Sequence, residues 1–268
     1  MQSGEFPRKG SVTIAGNTMR SLVMKMRMNN SIKFRIQQAK NLLTNSGVEI
    51  KSKNWQSIKS PDIMVEICNI YFKMHIPNKI KKLQKECDPD LPWAEDHFLE
   101  RINGKSLNPG NQYKNWPYYR KSLDDNRFRS NDGTKFSHTY MERYWPPSKP
   151  GIRYFYGNLN DIIDRLKMDP YTRQAYLSVW HPEDQSNNNV RLPCSLGYWF
   201  TIRNKKLYCT YHIRSCDIVR HFKNDIYMTS RLVQFIADRL KVGVGNLDMW
   251  IGSFHIFKSE LWKIKTKE

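Results

Sequence analysis

The chain has 268 residues, 39% of them hydrophobic, which is enough to bury a sizeable core in one large domain or two small ones. Its apolar runs, such as 63–70 and 232–236, are far too short to span a bilayer, and no apolar signal core opens it, so a soluble cytoplasmic protein without a membrane partner is expected. The formal charge of +19 calls for an anionic partner, and five unevenly spaced cysteines with no CxxC pair suggest neither a disulfide framework nor a metal site.

Composition alone does not choose among nucleic acid, nucleotide phosphate and a polyanionic cofactor. The basic residues are spread over 25–35, 79–85 and 258–267, so a generally basic solvated surface stands beside weak binding of nucleic acid.

In chain order, residues 10–23 alternate like two strands around a Gly16–Asn17 turn, and 62–83 carry apolar residues at helical spacing. The stretch 105–150 holds Pro109, Pro117, Pro146, Pro147 and Pro150 among many aromatics, which predicts a long ordered loop region suited to binding residues. Residues 159–168 read as an amphipathic helix stopped by Asp169–Pro170. A strand over 175–180 and a polar loop over 183–189 follow, then two strands, 196–202 and 206–213, across an Arg203–Asn204 turn, and a helix over 230–240. Strands interleaved with helices predict an α+β or three-layer α/β fold, with 1–268 as a single domain.

Cys194 stands directly before an apolar strand, where a reactive side chain would sit at a strand edge. A lone cysteine is more often a small buried hydrophobe than a nucleophile. Its context is more telling, because Arg214-Ser215-Cys216-Asp217 follows a strand that should pair with the first. A guanidinium there can grip phosphate in bidentate fashion and favour a thiolate nearby. A plain surface ion pair between Arg214 and Asp217 is the simpler alternative.

These residues together resemble the thymidylate synthase superfamily, with phage-type deoxycytidylate hydroxymethylases as the branch most alike. The resemblance rests on Pro193–Cys194, RSCD at 214–217, GSFH at 252–255, DPYTR at 169–173 and LSVWHP at 177–182. More loosely, YMERYW at 140–145 resembles the family's tyrosine–glycine–x–x–tryptophan segment, and PWAEDHF at 92–98 resembles the helix that bears its catalytic glutamate.

The resemblance implies a large mixed sheet packed by helices and a homodimer formed through the sheet. It implies that Cys194 adds to C6 of a pyrimidine nucleotide, that Glu95 organises water and proton transfers, and that Tyr140 helps remove the C5 proton. Arg214 and Ser215 would hold the 5′-phosphate, with Arg173 reaching over from the second subunit. Asp217 would bind the pterin of 5,10-methylenetetrahydrofolate, and His255 the ribose.

The departures sharpen the expectation. Ser195 stands where thymidylate synthases carry histidine, Gln174 replaces the second of paired arginines, and Phe257 replaces a tyrosine. The family's uracil-reading asparagine is Asp225 here. A carboxyl group complements cytosine, whose N3 accepts and whose 4-amino group donates. The sequence ends thirteen residues after His255, a short end that would suit a site in which water is a reactant. The expected activity is therefore 5-hydroxymethylation of dCMP. A pyrimidine C5-methyltransferase is the alternative, and a nucleic-acid-binding protein on a retired enzyme fold is a third reading. Asp225 as a cap of a helix starting near Met228 is the competing role for that residue.

Overall fold

The computed structural model describes residues 29–52, 62–119, 135–146, 158–185 and 192–265. The strand pair expected at 10–23, the middle of the 105–150 loop region and part of the 183–189 loop lie outside them. Contacts divide the chain into Met1–Asn30 and Ser31–Glu268. Of the first unit only Asn29 and Asn30 are described, and everything below concerns the second.

Its elements are α1 (Ile32–Ser46), β1 (Val48–Ser52), β2 (Asp62–His75), α2 (Ile80–Cys87), α3 (Trp93–Arg101), α4 (Tyr140–Tyr144), α5 (Leu159–Met168), β3 (Tyr176–Ser178), β4 (Ser195–Arg203), β5 (Lys206–Asp217), α6 (Lys223–Leu240) and β6 (Gly243–Phe257). The described strands form one mixed sheet in the order β1-β2-β6-β5-β4-β3. Every pairing is antiparallel except β5 with β6, which run parallel because α6 crosses between them. The α+β sheet packed by helices is thus present as expected.

Local chemistry explains most boundaries. Asn158 caps α5 by accepting from the amides of Asn160 and Asp161, and the helix stops at Asp169 before Pro170. The β4–β5 turn places Asn204 and Lys205 at φ 48° and 56°, the pair of left-handed residues that a tight hairpin needs. α6 buries Ile226, Val233 and Ala237 on one stripe, and it contacts β5 and β6.

The helical reading of 62–83 is corrected, because 62–75 is a strand and only Ile80–Cys87 is helical. Asn69, at φ 56°, breaks the alternation. Val65 and Ile67 face the core before it, and Ile70, Phe72 and Met74 after it, so neither phase of a period of two runs through. The same switch crosses the sheet. On β6 the buried set passes from Leu247, Met249 and Ile251 to Phe254 and Ile256, and on β5 from Tyr211 and Ile213 to Cys216. On β4 the register shifts between Ser195 and Gly197. Gly252 is required here, since a Cβ on it would lie 2.9 Å from the Arg214 carbonyl oxygen. This row of irregularities bends the strands beside Cys194 and Ser215.

Candidate active site

A cavity of about 200 Å³ opens where α3, the 110–119 segment, α4, the bent part of β4–β5 and α6 converge. Cys194, Tyr140, Ser215 and Asp225 all line it. Four of the residues singled out in the sequence are thereby brought together.

Cys194 is partly exposed at the start of β4. The Arg214 amide donates to the Cys194 carbonyl at 2.8 Å, and its guanidinium donates to the carbonyls of Pro193 at 2.8 Å and Leu192 at 3.1 Å. Arg214 therefore fastens the backbone that presents the thiol. Tyr140, the first residue of α4, has its hydroxyl 2.9 Å from Ser195 Oγ, which in turn pairs with the Tyr211 hydroxyl. The Arg101 guanidinium lies 4.0 Å over the Tyr140 ring. Burial, reinforced by Cys194, pushes the Tyr140 phenol up to about 12, while Arg101 and the Ser195 hydrogen bond oppose the rise.

Asp225 lies in the first turn of α6. Burial pushes its carboxyl up to about 7, against the opposing effects of Arg101 and of Cys216, whose Sγ is 3.9 Å away. The capping role is not what the structure holds. The helical run begins with a wide π turn at Ile218–Phe222, and Asp217 caps it by accepting from the amides of Val219 and Arg220. Neighbouring Asn224 is committed elsewhere, accepting from the Asp90 amide at 2.9 Å and donating to its carboxylate at 2.8 Å.

The other expected site residues lie apart from the cavity lining. Glu95 turns away, with both carboxylate oxygens on Arg231 at 2.9 and 3.0 Å and the Tyr227 hydroxyl at 2.7 Å. Although burial works the other way, these bonds hold it below the usual glutamate range. Asp217, besides its capping role, takes Arg220 at 2.6 Å. His255 pairs in register with Glu66 and Asp217, and burial depresses its imidazole. Arg173 is exposed, and its carbonyl accepts from Trp199.

The sequence reading missed a face of α3. Trp93, His97, Glu100 and Arg101 recur at helical spacing and all line the cavity, joined by Trp116 and His221. That spacing was the available signal, because Glu95 lies two residues, about 200° of helical turn, from Trp93. His97 stacks on Trp93 with centroids 5.3 Å apart, and His221 stacks on Trp116 at the same separation.

The thymidylate synthase family profile matches residues 97–267, well over half of the chain. A thymidylate synthase of Listeria innocua serovar 6a is 25% identical over 153 residues, which is 55% of this chain and 48% of that protein. One from Mycoplasma pneumoniae is 29% identical over 107 residues, covering 40% of this chain and 37% of that protein. The chain thus spans about half the length, or less, of these curated relatives. With this profile match, and with Cys194 and the Ser215 of RSCD lining one cavity, the chain belongs to the thymidylate synthase family.

Proposed function

We propose that this protein is a deoxycytidylate 5-hydroxymethyltransferase, with 1–268 acting as one catalytic domain. The observation that carries this reading is Asp225 in the cavity with Cys194, at the position where the family reads uracil with asparagine. With its proton affinity near neutrality, Asp225 can donate to cytosine N3 and accept from the 4-amino group. Asn224 is occupied by Asp90 and does not compete for that role.

Cys194 attacks C6 of the pyrimidine as a thiolate, which makes C5 nucleophilic. The negative charge that builds toward N3 is met by the Asp225 proton. Tyr140, held between Arg101 and Ser195, takes part in removing the C5 proton. Ser215 lines the cavity and, with neighbouring Arg214, would hold the nucleotide phosphate. Glu95 is left out of the proton transfers because Arg231 and Tyr227 hold its carboxylate.

The lining also fits 5,10-methylenetetrahydrofolate, which supplies the one-carbon unit when bound. The stacked Trp93–His97 and Trp116–His221 pairs, with the two tryptophan planes tilted by 45°, offer aromatic faces, and the buried Trp116 Nε1 finds no hydrogen-bond partner among the described residues. Asp217 binds the pterin in this reading only if Arg220 yields part of its hold. A homodimer through the sheet is supported by exposed Tyr71, Trp250 and Tyr176 on the strands and by Arg173, exposed for contribution in trans. His255 completes the nucleotide contacts at the ribose.

A second reading, pyrimidine C5-methyl transfer, is favoured by the two curated relatives described above, both named thymidylate synthase. Both readings need Cys194. Replacing Cys194 with alanine should abolish exchange of the nucleotide C5 proton with solvent while nucleotide binding survives, and normal exchange in that variant would refute both.

A further inference from the structure

We propose that His97 and Glu100 work as a dyad that takes the proton from the water completing the reaction, with His97 as the catalytic base and Glu100 as its positioning residue. The proposal rests on the hydroxymethylation reading and names the groups that water needs.

Both side chains come from one face of α3 and both line the cavity of Cys194. Stacking on Trp93, with ring planes 21° apart, sets the plane of the His97 ring. Its Nδ1 lies 3.4 Å from Glu100 Oε2. The carboxylate is fixed in turn by the amides of Asn111 and Gln112. Gly110 leaves it room, since a Cβ there would lie 2.6 Å from Glu100 Oε2.

Burial works to raise Glu100, but the bonds from His97 and the two amides outweigh it and keep the carboxylate ionised. An ionised carboxylate only accepts, so Nδ1 must carry the ring proton and Nε2 keeps its lone pair. Burial and the Arg101 charge push the imidazole down to about 4, against the pull of Glu100, so the ring is neutral near neutral pH. The His97 side chain is 15% exposed, and the space it meets is the cavity.

The step balances without an oxidant or reductant. After one-carbon transfer, C5 carries an exocyclic methylene joined by a double bond. A water oxygen bonds to that methylene carbon while one O–H bond breaks and its proton moves to His97 Nε2. The π pair shifts into the ring and returns to re-form the C5–C6 double bond, expelling the Cys194 sulfur from C6. The imidazolium, offset by Glu100, releases its proton to solvent.

The test uses the full chain with dCMP and methylenetetrahydrofolate, with and without 2-mercaptoethanol as a competing nucleophile. In His97→Gln, hydroxymethyl product should fall about a hundredfold, C5 proton release should fall far less, and nucleotide should be diverted to the thioether. Glu100→Gln should show the same diversion with a smaller loss. Undiminished hydroxymethylation in His97→Gln would overturn the dyad, as would parallel loss of proton release and product. A wild type that makes methyl product would instead sink the hydroxymethylation reading, and the dyad with it. If His97→Gln does not fold, ¹⁵N-histidine spectra of the wild type decide. One ring should carry its proton on Nδ1 and fail to titrate between about pH 5 and pH 8, and absence of such a ring would overturn the proposal.

Discussion

Arg101 sets its guanidinium 4.0 Å over the ring of Tyr140, and its buried Nε finds no hydrogen-bond partner among the described residues. A buried cation whose neighbours are mainly tyrosines stabilises the fold weakly, because desolvation offsets most of the attraction. Its electrostatic effect falls on Tyr140 and Asp225, whose proton affinities it lowers. Arg101→Met should therefore shift the melting temperature by only a few degrees while slowing C5 proton exchange about tenfold or more. Arg101→Lys should recover part of the rate. Equal rates in wild type and Arg101→Met would remove Arg101 from the account.

Asp225 gives a pH-dependent stability of definite sign. An unfolded aspartate titrates at about 3.9, whereas burial holds the folded group at about 7. Between those values the folded state keeps a proton that the unfolded state has lost, so the stability due to Asp225 falls as pH rises from about 4 to about 7. His97 acts in the opposite sense, since its folded value of about 4 lies below the unfolded value and costs stability as pH drops below about 6.5. The two partly cancel in the wild type. Asp225→Asn isolates one of them, and its stability relative to wild type should rise with pH across that interval in denaturant titrations. Parallel curves would mean that Asp225 is not proton-loaded by burial.

The same substitution tests base selection. An asparagine amide accepts from uracil N3–H and donates to O4, reversing what cytosine needs. Asp225→Asn should move the ratio of kcat/KM for dCMP over dUMP by about a hundredfold or more toward dUMP. An unchanged ratio would place base reading elsewhere in the cavity.

Gly252 links the bend of the sheet to the nucleophile. An added methyl meets the Arg214 carbonyl at 2.9 Å, and Arg214 holds the backbone of Leu192, Pro193 and Cys194. Gly252→Ala should cost about 1–3 kcal/mol of stability and slow C5 proton exchange at a temperature where the variant is still folded. Loss of stability with full exchange would separate the bend from the site.

The elements legible in the sequence are those set by local chemistry. The Asn158 cap and Asp169–Pro170 stop define α5, and a tight turn between β4 and β5 is legible too, although its left-handed pair is Asn204–Lys205, one residue later than the expected Arg203–Asn204, because Arg203 still pairs with Lys206 in the sheet. What escaped depends on contacts distant in sequence. Asn69 reverses the alternation of β2 only because β5 and β6 bend at the same level, which made a strand look helical. Glu95 sits in a helix that resembles the right one, but Arg231, 136 residues away, claims its carboxylate. Asp225 and Cys194 could be matched through the resemblance, whereas the commitment of Asn224 to Asp90 became visible only in the fold.

The most direct measurement of the central claim is to incubate the protein with dCMP and 5,10-methylenetetrahydrofolate and resolve nucleotide and folate products by mass. The account predicts 5-hydroxymethyl-dCMP together with tetrahydrofolate, and little turnover of dUMP. A methylated nucleotide accompanied by stoichiometric dihydrofolate would contradict it and make the protein a C5-methyltransferase.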